Sequence, residues 1–263
     1  MEYTYIVTGG LVGLIIGLTG VGGGSLMTPI LILGFEINPV IAVGTDLLYA
    51  AITKSSGVMF HHRRENVDWS IARTLALGSI PASLLTLFAL RYYNISTESY
   101  NSIITRTLSL MLILTALVIV FRSHLTSSLR LKTRINSHDH HLTDQIRLTL
   151  TILSGVFLGI VVSISSVGAG AIGTAVLFIL YPNYPAIKII GTDLAHAVPL
   201  TAIAGLGHMT QQHVSAPLLF GLLVGGIPMV YLGSQLGKKL SDSLLKKIIA
   251  TMLFSLGIKL ALQ

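Results

Sequence analysis

The sequence predicts an all-α polytopic membrane protein built from two inverted repeats, and composition is the first observation behind this. Of the 263 residues, 52% are hydrophobic and only 10% are charged, and the mean hydropathy is +0.79. About a quarter of the residues of a soluble domain are charged. Several apolar runs approach the roughly 20 residues that a helix needs to cross the hydrocarbon core. Soluble fold classes are therefore excluded.

The second observation is a motif that occurs twice in the same order. In the first half, a glycine-rich break at 20–25 (Gly-Val-Gly-Gly-Gly-Ser) is followed by Gly-Thr-Asp at 44–46. In the second half, a break at 165–170 (Ser-Ser-Val-Gly-Ala-Gly) is followed by Gly-Thr-Asp at 191–193. Matching positions lie 146 residues apart at the breaks and 147 apart beyond Lys188. Such a duplication is typical of a secondary transporter whose site lies between the halves.

Ten apolar segments, five in each half, are predicted to be helices. They lie at about 4–19, 25–35, 39–60, 70–90 and 103–121, and at about 147–166, 170–181, 186–207, 216–236 and 247–262. The second member of each set is so short that it covers about half of the bilayer. It is a half-helix, a tilted span or one arm of a re-entrant hairpin. The predicted regions are a first repeat at 1–121, a cytoplasmic linker at 122–146 and a second repeat at 147–263.

The distribution of Lys and Arg predicts the orientation of the loops. The loop at 61–69 carries Arg63 and Arg64, whereas its repeat-equivalent loop at 208–215 carries no Lys or Arg. Cytoplasmic loops are enriched in basic residues, so we expect the two halves to be inverted relative to each other. Inversion requires an odd number of crossings in each half, which favours short segments that complete a crossing. Because this pattern accounts for the net charge of +7, we do not expect a nucleic-acid partner.

Several other kinds of site find no support in the sequence. The chain has no cysteine, so it offers neither disulfides nor thiolate chemistry. It has no P-loop, no His-Glu-x-x-His and no nucleophile elbow, so we expect neither an enzyme nor a bound cofactor. The N-terminus lacks a basic region and a cleavage site, which predicts a retained span rather than a signal peptide. The histidines at 138–141 are interpreted as a solvated loop rather than a metal site.

The two glycine-rich breaks are the predicted binding site. Glycine runs weaken a helix, and the backbone groups that they free inside a membrane must be satisfied by protein, water or ligand. A helix that starts after a break directs unpaired amides and a positive dipole end towards it, which suits an anion. The alternative is that the glycines only allow close helix packing. The predicted substrate-binding residues are Gly22, Gly23, Gly24, Ser25, Thr45, Val167, Gly168, Ala169, Gly170 and Thr192.

Four ionisable residues inside apolar segments are assigned to coupling or structural roles. Asp46 and Asp193 either carry a coupling proton or hold the structure, by capping a helix start or tying down the neighbouring break, and the structural role is favoured. Lys54 either binds the anion or snorkels towards the loop beginning at His61, and snorkelling is favoured. His196 either shuttles protons or is a buried histidine satisfied by hydrogen bonds, and the second is favoured.

Three motifs in series resemble the sulfite exporter TauE/SafE family. They are the glycine-rich segment at 13–29, the Gly-Thr-Asp segment at 42–47 and an Asn-Val-Asp-Trp element at 66–69. The resemblance covers almost the whole chain, including a weaker second copy at 155–237. That copy has His-Val-Ser-Ala at 213–216 in place of Asn-Val-Asp-Trp, which leaves the symmetry of the site open.

The resemblance implies a multi-pass transporter of the inner or plasma membrane that moves a small sulfur-containing anion. Sulfite, thiosulfate and organosulfonates such as sulfoacetate are the implied substrates, and transport would be coupled to protons or other ions. Combined with the breaks, this predicts an anion held near the midplane between the halves. The alternative is a carrier of divalent metals or other cations that uses the intramembrane Asp and His residues.

Overall fold

The computed structural model describes residues 2–19, 24–93, 97–135, 144–236 and 242–262, which form ten α-helices and no β-strand. The helices are α1 (Glu2–Thr19), α2 (Gly24–Phe35), α3 (Pro39–Arg63), α4 (Trp69–Tyr92), α5 (Thr97–Ile135), α6 (Asp144–Ser165), α7 (Ala171–Leu180), α8 (Ala186–Thr210), α9 (Ala216–Leu236) and α10 (Asp242–Ala261). Local sequence explains several of the boundaries. Asn38 caps α3 by accepting the amide hydrogen of Val40, and Asp68 caps α4 by accepting that of Ser70.

Each predicted apolar segment is a helix, which confirms the all-α prediction. Helix α5 is longer than expected, because it continues to Ile135 through the first part of the predicted linker, and α6 begins at Asp144. The predicted loop histidines at 138–141 lie outside the described residues. Among the described helices, five are long and apolar enough to cross a membrane: Trp69–Tyr92, Glu98–Phe121, Gln145–Ser165, Ala186–Thr210 and Ala216–Leu236.

The side chains are distributed as in a protein that is surrounded by lipid. Leu85, Phe88 and Phe220 are 67%, 64% and 70% exposed. In contrast, Asp46 and His208 are fully buried. Ionisable residues in membrane helices face the bundle interior because lipid cannot solvate them. The chain is therefore a multi-pass membrane protein.

The two halves interlock, because every major helix pair takes one member from each half. Helix α1 packs along α9, α4 along α6, α3 along α8 and α5 along α10. The first two pairs are equivalent in the repeat and both depend on glycine. A Cβ atom at Gly78 would lie 2.1 Å from the carbonyl oxygen of Ile152, and one at Gly225 would lie 1.8 Å from that of Ile6. Only a residue without a side chain allows these backbones to approach so closely.

The pairs α1–α2 and α6–α7 are hairpins around the two breaks. The ring of Tyr5, near the start of α1, lies 5.4 Å from that of Phe35 at the end of α2. At the equivalent positions of the second half, the hydroxyls of Thr151 and Tyr181 are 3.0 Å apart. Each hairpin thus begins and ends on the same side of the molecule, so it crosses the membrane either twice or not at all. Either case gives an odd number of crossings per half, as the predicted inversion needs, and the expectation that the short helices complete a crossing stays a prediction.

Candidate functional site

The two Gly-Thr-Asp motifs lie inside helices rather than at helix starts. Helix α3 begins at Pro39 and α8 at Ala186, so Asp46 and Asp193 each stand two turns inside a helix. A capping residue precedes the first turn, and the capping alternative for these aspartates is therefore wrong. Their side chains are 0% and 1% exposed.

Asp46 bonds to the first hairpin and lies near the second break. Thr28 of α2 is fully buried, and its hydroxyl donates a hydrogen bond to the Asp46 carboxyl group. The hydroxyl of Ser166, in the second break, also acts on this carboxyl group but makes no hydrogen bond to it. Asp46 thus has the position of a residue that ties down the hairpin beside it, while its coupling role stays a prediction.

Asp193 packs directly on the start of α7. A Cβ atom at Gly173 would lie 2.1 Å from Asp193 Oδ1, so only glycine allows the carboxyl group to reach this place. The next residue, Thr174, is the repeat equivalent of Thr28, but its hydroxyl bonds to the backbone of its own helix at Gly170. The two halves therefore place an aspartate beside each short helix through different contacts.

The second break is an ordered, buried turn. Ser166, Gly168 and Gly170 have φ values of +59°, +126° and +132°, and the last two angles suit glycine. The hydroxyl of Ser165 accepts the amide hydrogen of Val167 at 3.2 Å and holds the turn. Four of these five residues are buried, and Gly170 is partly so. Glycine at these two positions therefore has a conformational reason beyond helix packing.

The start of α7 presents free amide groups to this break. Gly170 precedes the helix without a side-chain cap. The first backbone hydrogen bonds of α7 run from Gly173 to Gly168 and from Thr174 to Gly170. The amides of Ala171 and Ile172 consequently have no acceptor within the described residues. Such amides, at the positive end of a helix, favour a negatively charged partner.

The first break is described only in part. Gly22 and Gly23 lie outside the described residues, and α2 begins at Gly24. Ser25 is buried, at 6% exposure. The predicted binding role of these four residues stays a prediction.

Lys54 reaches the second break from the opposite half of the chain. Its side chain is 4% exposed, and its Nζ donates a hydrogen bond to the carbonyl oxygen of Ala169 at 3.0 Å. The nearby acidic groups that act on its charge are Asp193 and Asp46. The favoured interpretation, snorkelling towards the loop after His61, is therefore wrong. The contact puts the side-chain nitrogen of Lys54 at the place where α6 ends and α7 begins.

His196 has the hydrogen bond expected of a buried histidine. Its Nε2 lies 2.7 Å from Ser79 Oγ on α4, and the ring is 1% exposed. Lys54 is the charged group that acts on it. This contact gives the imidazole a structural partner, and the proton-shuttle alternative is untested.

Thr45 and Thr192 face loops of the opposite half. Thr45 Oγ1 accepts the amide hydrogen of Ser215 at 3.2 Å, and Thr192 Oγ1 accepts that of Asp68 at 2.9 Å. The Thr192 hydroxyl also donates to the carbonyl oxygen of Lys188 at 2.7 Å. The structure thus brings Lys54, Asp46 and the second break together, but it gives both threonines contacts outside this group.

Three serines were missed by the interpretation of the sequence. Ser79, Ser83 and Ser163 are all 0% exposed and lie between α4, α6 and α8. Ser79 and Ser83 are four residues apart within an apolar segment, which places both on one face of a helix. That spacing of polar residues inside a membrane segment was the available signal.

Comparisons with known proteins agree with this architecture. A family model described as "Sulfite exporter TauE/SafE" matches residues 5–260. The probable membrane transporter protein YjnA of Bacillus subtilis (strain 168) is 37% identical over 260 residues, covering 99% of this chain and all of that protein. The probable membrane transporter protein MJ0441 of Methanocaldococcus jannaschii is 25% identical over 267 residues, covering 95% and 90%. No solved structure matches the chain.

The family match and the helical architecture lead to one assignment. The match spans nearly the full length, and one relative is 37% identical over almost the whole of both chains. The bacterial relatives indicate the plasma membrane. This chain, a multi-pass membrane transporter, therefore belongs to the sulfite exporter TauE/SafE family.

Proposed function

We propose that the chain carries a small sulfur-containing anion, such as sulfite, thiosulfate or an organosulfonate, and binds it at the second break beside Lys54. The main support for this proposal is the buried hydrogen bond from Lys54 Nζ to Ala169 O. It brings an ammonium group to a break whose following helix begins with free amides. An ammonium group and a helix N-terminus together favour an oxyanion. The family description, which names sulfite, supports the substrate class.

In this proposal the anion replaces the Ala169 carbonyl oxygen as the partner of Lys54. Its oxygens accept hydrogen bonds from the ammonium group and from the amides of Ala171 and Ile172. Thr45 and Thr192 are left out of the ligand set, because their hydroxyls already join the two halves. The aspartates hold the hairpins and compensate the charge of Lys54 while the site is empty.

The cation-carrier alternative is less well supported by the same residues. A divalent cation needs several carboxylate or imidazole ligands around one point. The part of the chain that the structure describes contains no group of three or more His, Cys, Asp or Glu side chains that could hold a metal ion. Asp46 and Asp193 both interact electrostatically with Lys54, and the ammonium group of Lys54 would repel a cation.

The test combines ligand-induced stabilisation with transport. Purified protein is heated with sulfite, thiosulfate, sulfoacetate, chloride, phosphate or a divalent metal, because a ligand that binds only the folded state raises the apparent stability. The stabilising anion is then used for flux into proteoliposomes. Lys54→Met removes the ammonium group, and Thr201→Val, at the repeat-equivalent buried position, is the matched control.

We expect a sulfur anion to stabilise the native protein and Thr201→Val equally. Lys54→Met should weaken the apparent affinity by about 10- to 100-fold, since hydrogen bonds to charged groups contribute about 1.5–3 kcal/mol. Unchanged affinity in Lys54→Met would remove the proposed site. Stabilisation of the native protein by divalent metals alone would favour the cation carrier instead.

A further inference from the structure

A line of buried polar residues leads away from Lys54 towards the end of the molecule where α3 begins. It consists of His196, Ser79, Ser83, Ser163 and His208, here called the polar file. Each of these residues is at most 1% exposed. Histidines that are buried within membrane helices are costly and mark ion or proton pathways, and buried serines hydrogen-bond across packed helices.

Short contacts connect neighbouring members of the polar file. His196 Nε2 lies 2.7 Å from Ser79 Oγ, and Ser83 Oγ lies 2.6 Å from Ser163 Oγ. Ser79 and Ser83 are one helical turn apart on the same face of α4. His208 Nε2 lies 2.9 Å from the carbonyl oxygen of Ser163. Two of the four steps are thus direct side-chain contacts. The step from Ser79 to Ser83, and the step from the Ser163 hydroxyl to His208, whose contact is to a backbone carbonyl that relays no proton, each need a bridging water.

The outer end of the polar file opens towards a cavity. The ring of His208 lies 5.8 Å from that of His213. His213 lines a cavity of about 480 Å³ together with Asn38, Arg91 and Tyr100. Partial burial lowers the pKa of His213, so its imidazole is neutral at neutral pH and can accept a proton. The cavity thus offers a place where protons enter from water.

The repeat shows that the polar file is not a requirement of packing. The equivalent positions in the other half, 146 or 147 residues away, hold mostly residues that cannot relay a proton. In the order His196, Ser79, Ser83, Ser163 and His208, the equivalents are Tyr49, Gly226, Val230, Gly17 and His61. The same helix pairs pack in both halves. The three serine hydroxyls of the polar file therefore serve a purpose that only one half needs.

Charge balance at the anion site supplies that purpose. With all groups ionised, Lys54, Asp46 and Asp193 carry one positive and two negative charges. An arriving anion adds further negative charge to buried surroundings, where each uncompensated charge costs several kcal/mol. A proton that is taken up with the anion offsets one of these charges. The charge balance of the site and the position of the polar file therefore both favour a proton as the coupling ion.

We propose that the polar file conducts a coupling proton between the outer cavity and the anion site, so that anion and proton move together. This inference rests on the proposed function. The proton enters at His208, passes through the hydroxyls of Ser163, Ser83 and Ser79 to His196, and is held at Asp193, one turn earlier on α8.

The charged and titratable groups around this route lie on several elements. Lys54 and Asp46 of α3 face the inner end, together with Asp193. His213, Arg91 and Tyr100 surround the cavity at the outer end.

The experiment uses the full chain in proteoliposomes with labelled thiosulfate, which carries no titrating proton near neutral pH. Two assays are compared: anion exchange at equal pH on both sides, and accumulation driven by an acidic exterior with a pH dye inside. His208→Gln keeps an amide donor for Ser163 O but cannot carry a proton, and Ser83→Ala interrupts the hydroxyls. His61→Gln is the matched control, since it makes the same substitution at the repeat-equivalent position outside the polar file.

Exchange lets the proton stay bound throughout, whereas net accumulation requires its entry and release. We expect His208→Gln and Ser83→Ala to retain exchange and to lose at least about tenfold of the pH-driven accumulation, as for other proton-transfer groups. His61→Gln should retain both. Accumulation without an internal pH change in the native protein, native-like accumulation in both variants, or loss of exchange in them would overturn the polar file. Absence of thiosulfate exchange and of any sulfur-anion flux in the native protein would instead overturn the proposed function.

Discussion

Thr192 on α8 accepts a hydrogen bond at 2.9 Å from the backbone amide of Asp68, which belongs to the opposite half of the chain. The repeat-equivalent bond joins Thr45 to the amide of Ser215. The glycine before each threonine lies against the same loop, because a Cβ atom at Gly191 would stand 2.1 Å from the carbonyl oxygen of Asn66. The residues of each motif thus have a division of roles: the glycine and the threonine contact a loop of the other half, and the aspartate faces a hairpin.

This division predicts that Thr192→Val affects stability rather than substrate binding. The variant leaves the Asp68 amide without its acceptor, which costs about 1–3 kcal/mol for a buried group. Thr201→Val is the control, since the Thr201 hydroxyl bonds only within its own helix. We expect a lower melting temperature for Thr192→Val than for Thr201→Val, with equal KM for the anion. A raised KM at native stability would instead restore threonine to the ligand set.

The interlocked helix pairs predict that two glycines tolerate no side chain. Alanine at Gly78 or Gly225 would place Cβ against a backbone carbonyl oxygen, and such overpacking costs about 1–3 kcal/mol or more. Gly57→Ala is the control, because its nearest neighbour is a side-chain methyl group at 3.9 Å. We expect a reduced folded fraction, measured by size-exclusion chromatography in detergent, for Gly78→Ala and Gly225→Ala only. Native-like elution of both would contradict the close approach of α4 to α6 and of α9 to α1.

The positions of the helices could be predicted from the sequence, because apolar length and the Pro and Gly residues between segments are local properties. Which of the three possibilities applies to each short helix could not. Hydropathy shows that 25–35 is apolar, but it does not show at which side of the molecule α2 ends. That side is known only from the contact between the rings of Phe35 and Tyr5. Lys54 shows the same limit, since its partner Ala169 is 115 residues away. An apolar run is compatible with snorkelling or with an internal partner, and only tertiary contacts distinguish them.

The lowered pKa of His213 should contribute to the loss of folding stability in acid. Burial lowers its pKa in the folded state, while the unfolded chain has the ordinary value of about 6.5. Above that value both states are neutral, and His213 has no effect. As the pH falls below it, the unfolded state takes up a proton that the folded state resists, so stability falls. His213→Asn, which introduces the residue found at the equivalent Asn66, should lose less thermal stability between about pH 7.5 and 5.5. Parallel melting curves for both proteins would exclude this contribution.

The predicted inversion has a direct test in two exposed loop residues. Gly44 near the start of α3 lies against His213 beyond the end of α8, and Gly191 near the start of α8 lies against Asn66 beyond α3. These contacts require α3 and α8 to run antiparallel, so the loops that follow them lie at opposite ends of the molecule.

Glu65 and Gln212 are the matched probes in those two loops. They are exposed, equivalent in the repeat and share positive φ values of +57° and +61°. Because the chain has no cysteine, Glu65→Cys and Gln212→Cys each provide one labelling site. A membrane-impermeant maleimide should label Gln212→Cys on intact cells and Glu65→Cys only after permeabilisation, since the basic loop belongs in the cytoplasm. Labelling of both variants from the same side would contradict the inversion, whereas the reverse pattern would keep it and overturn the assigned orientation.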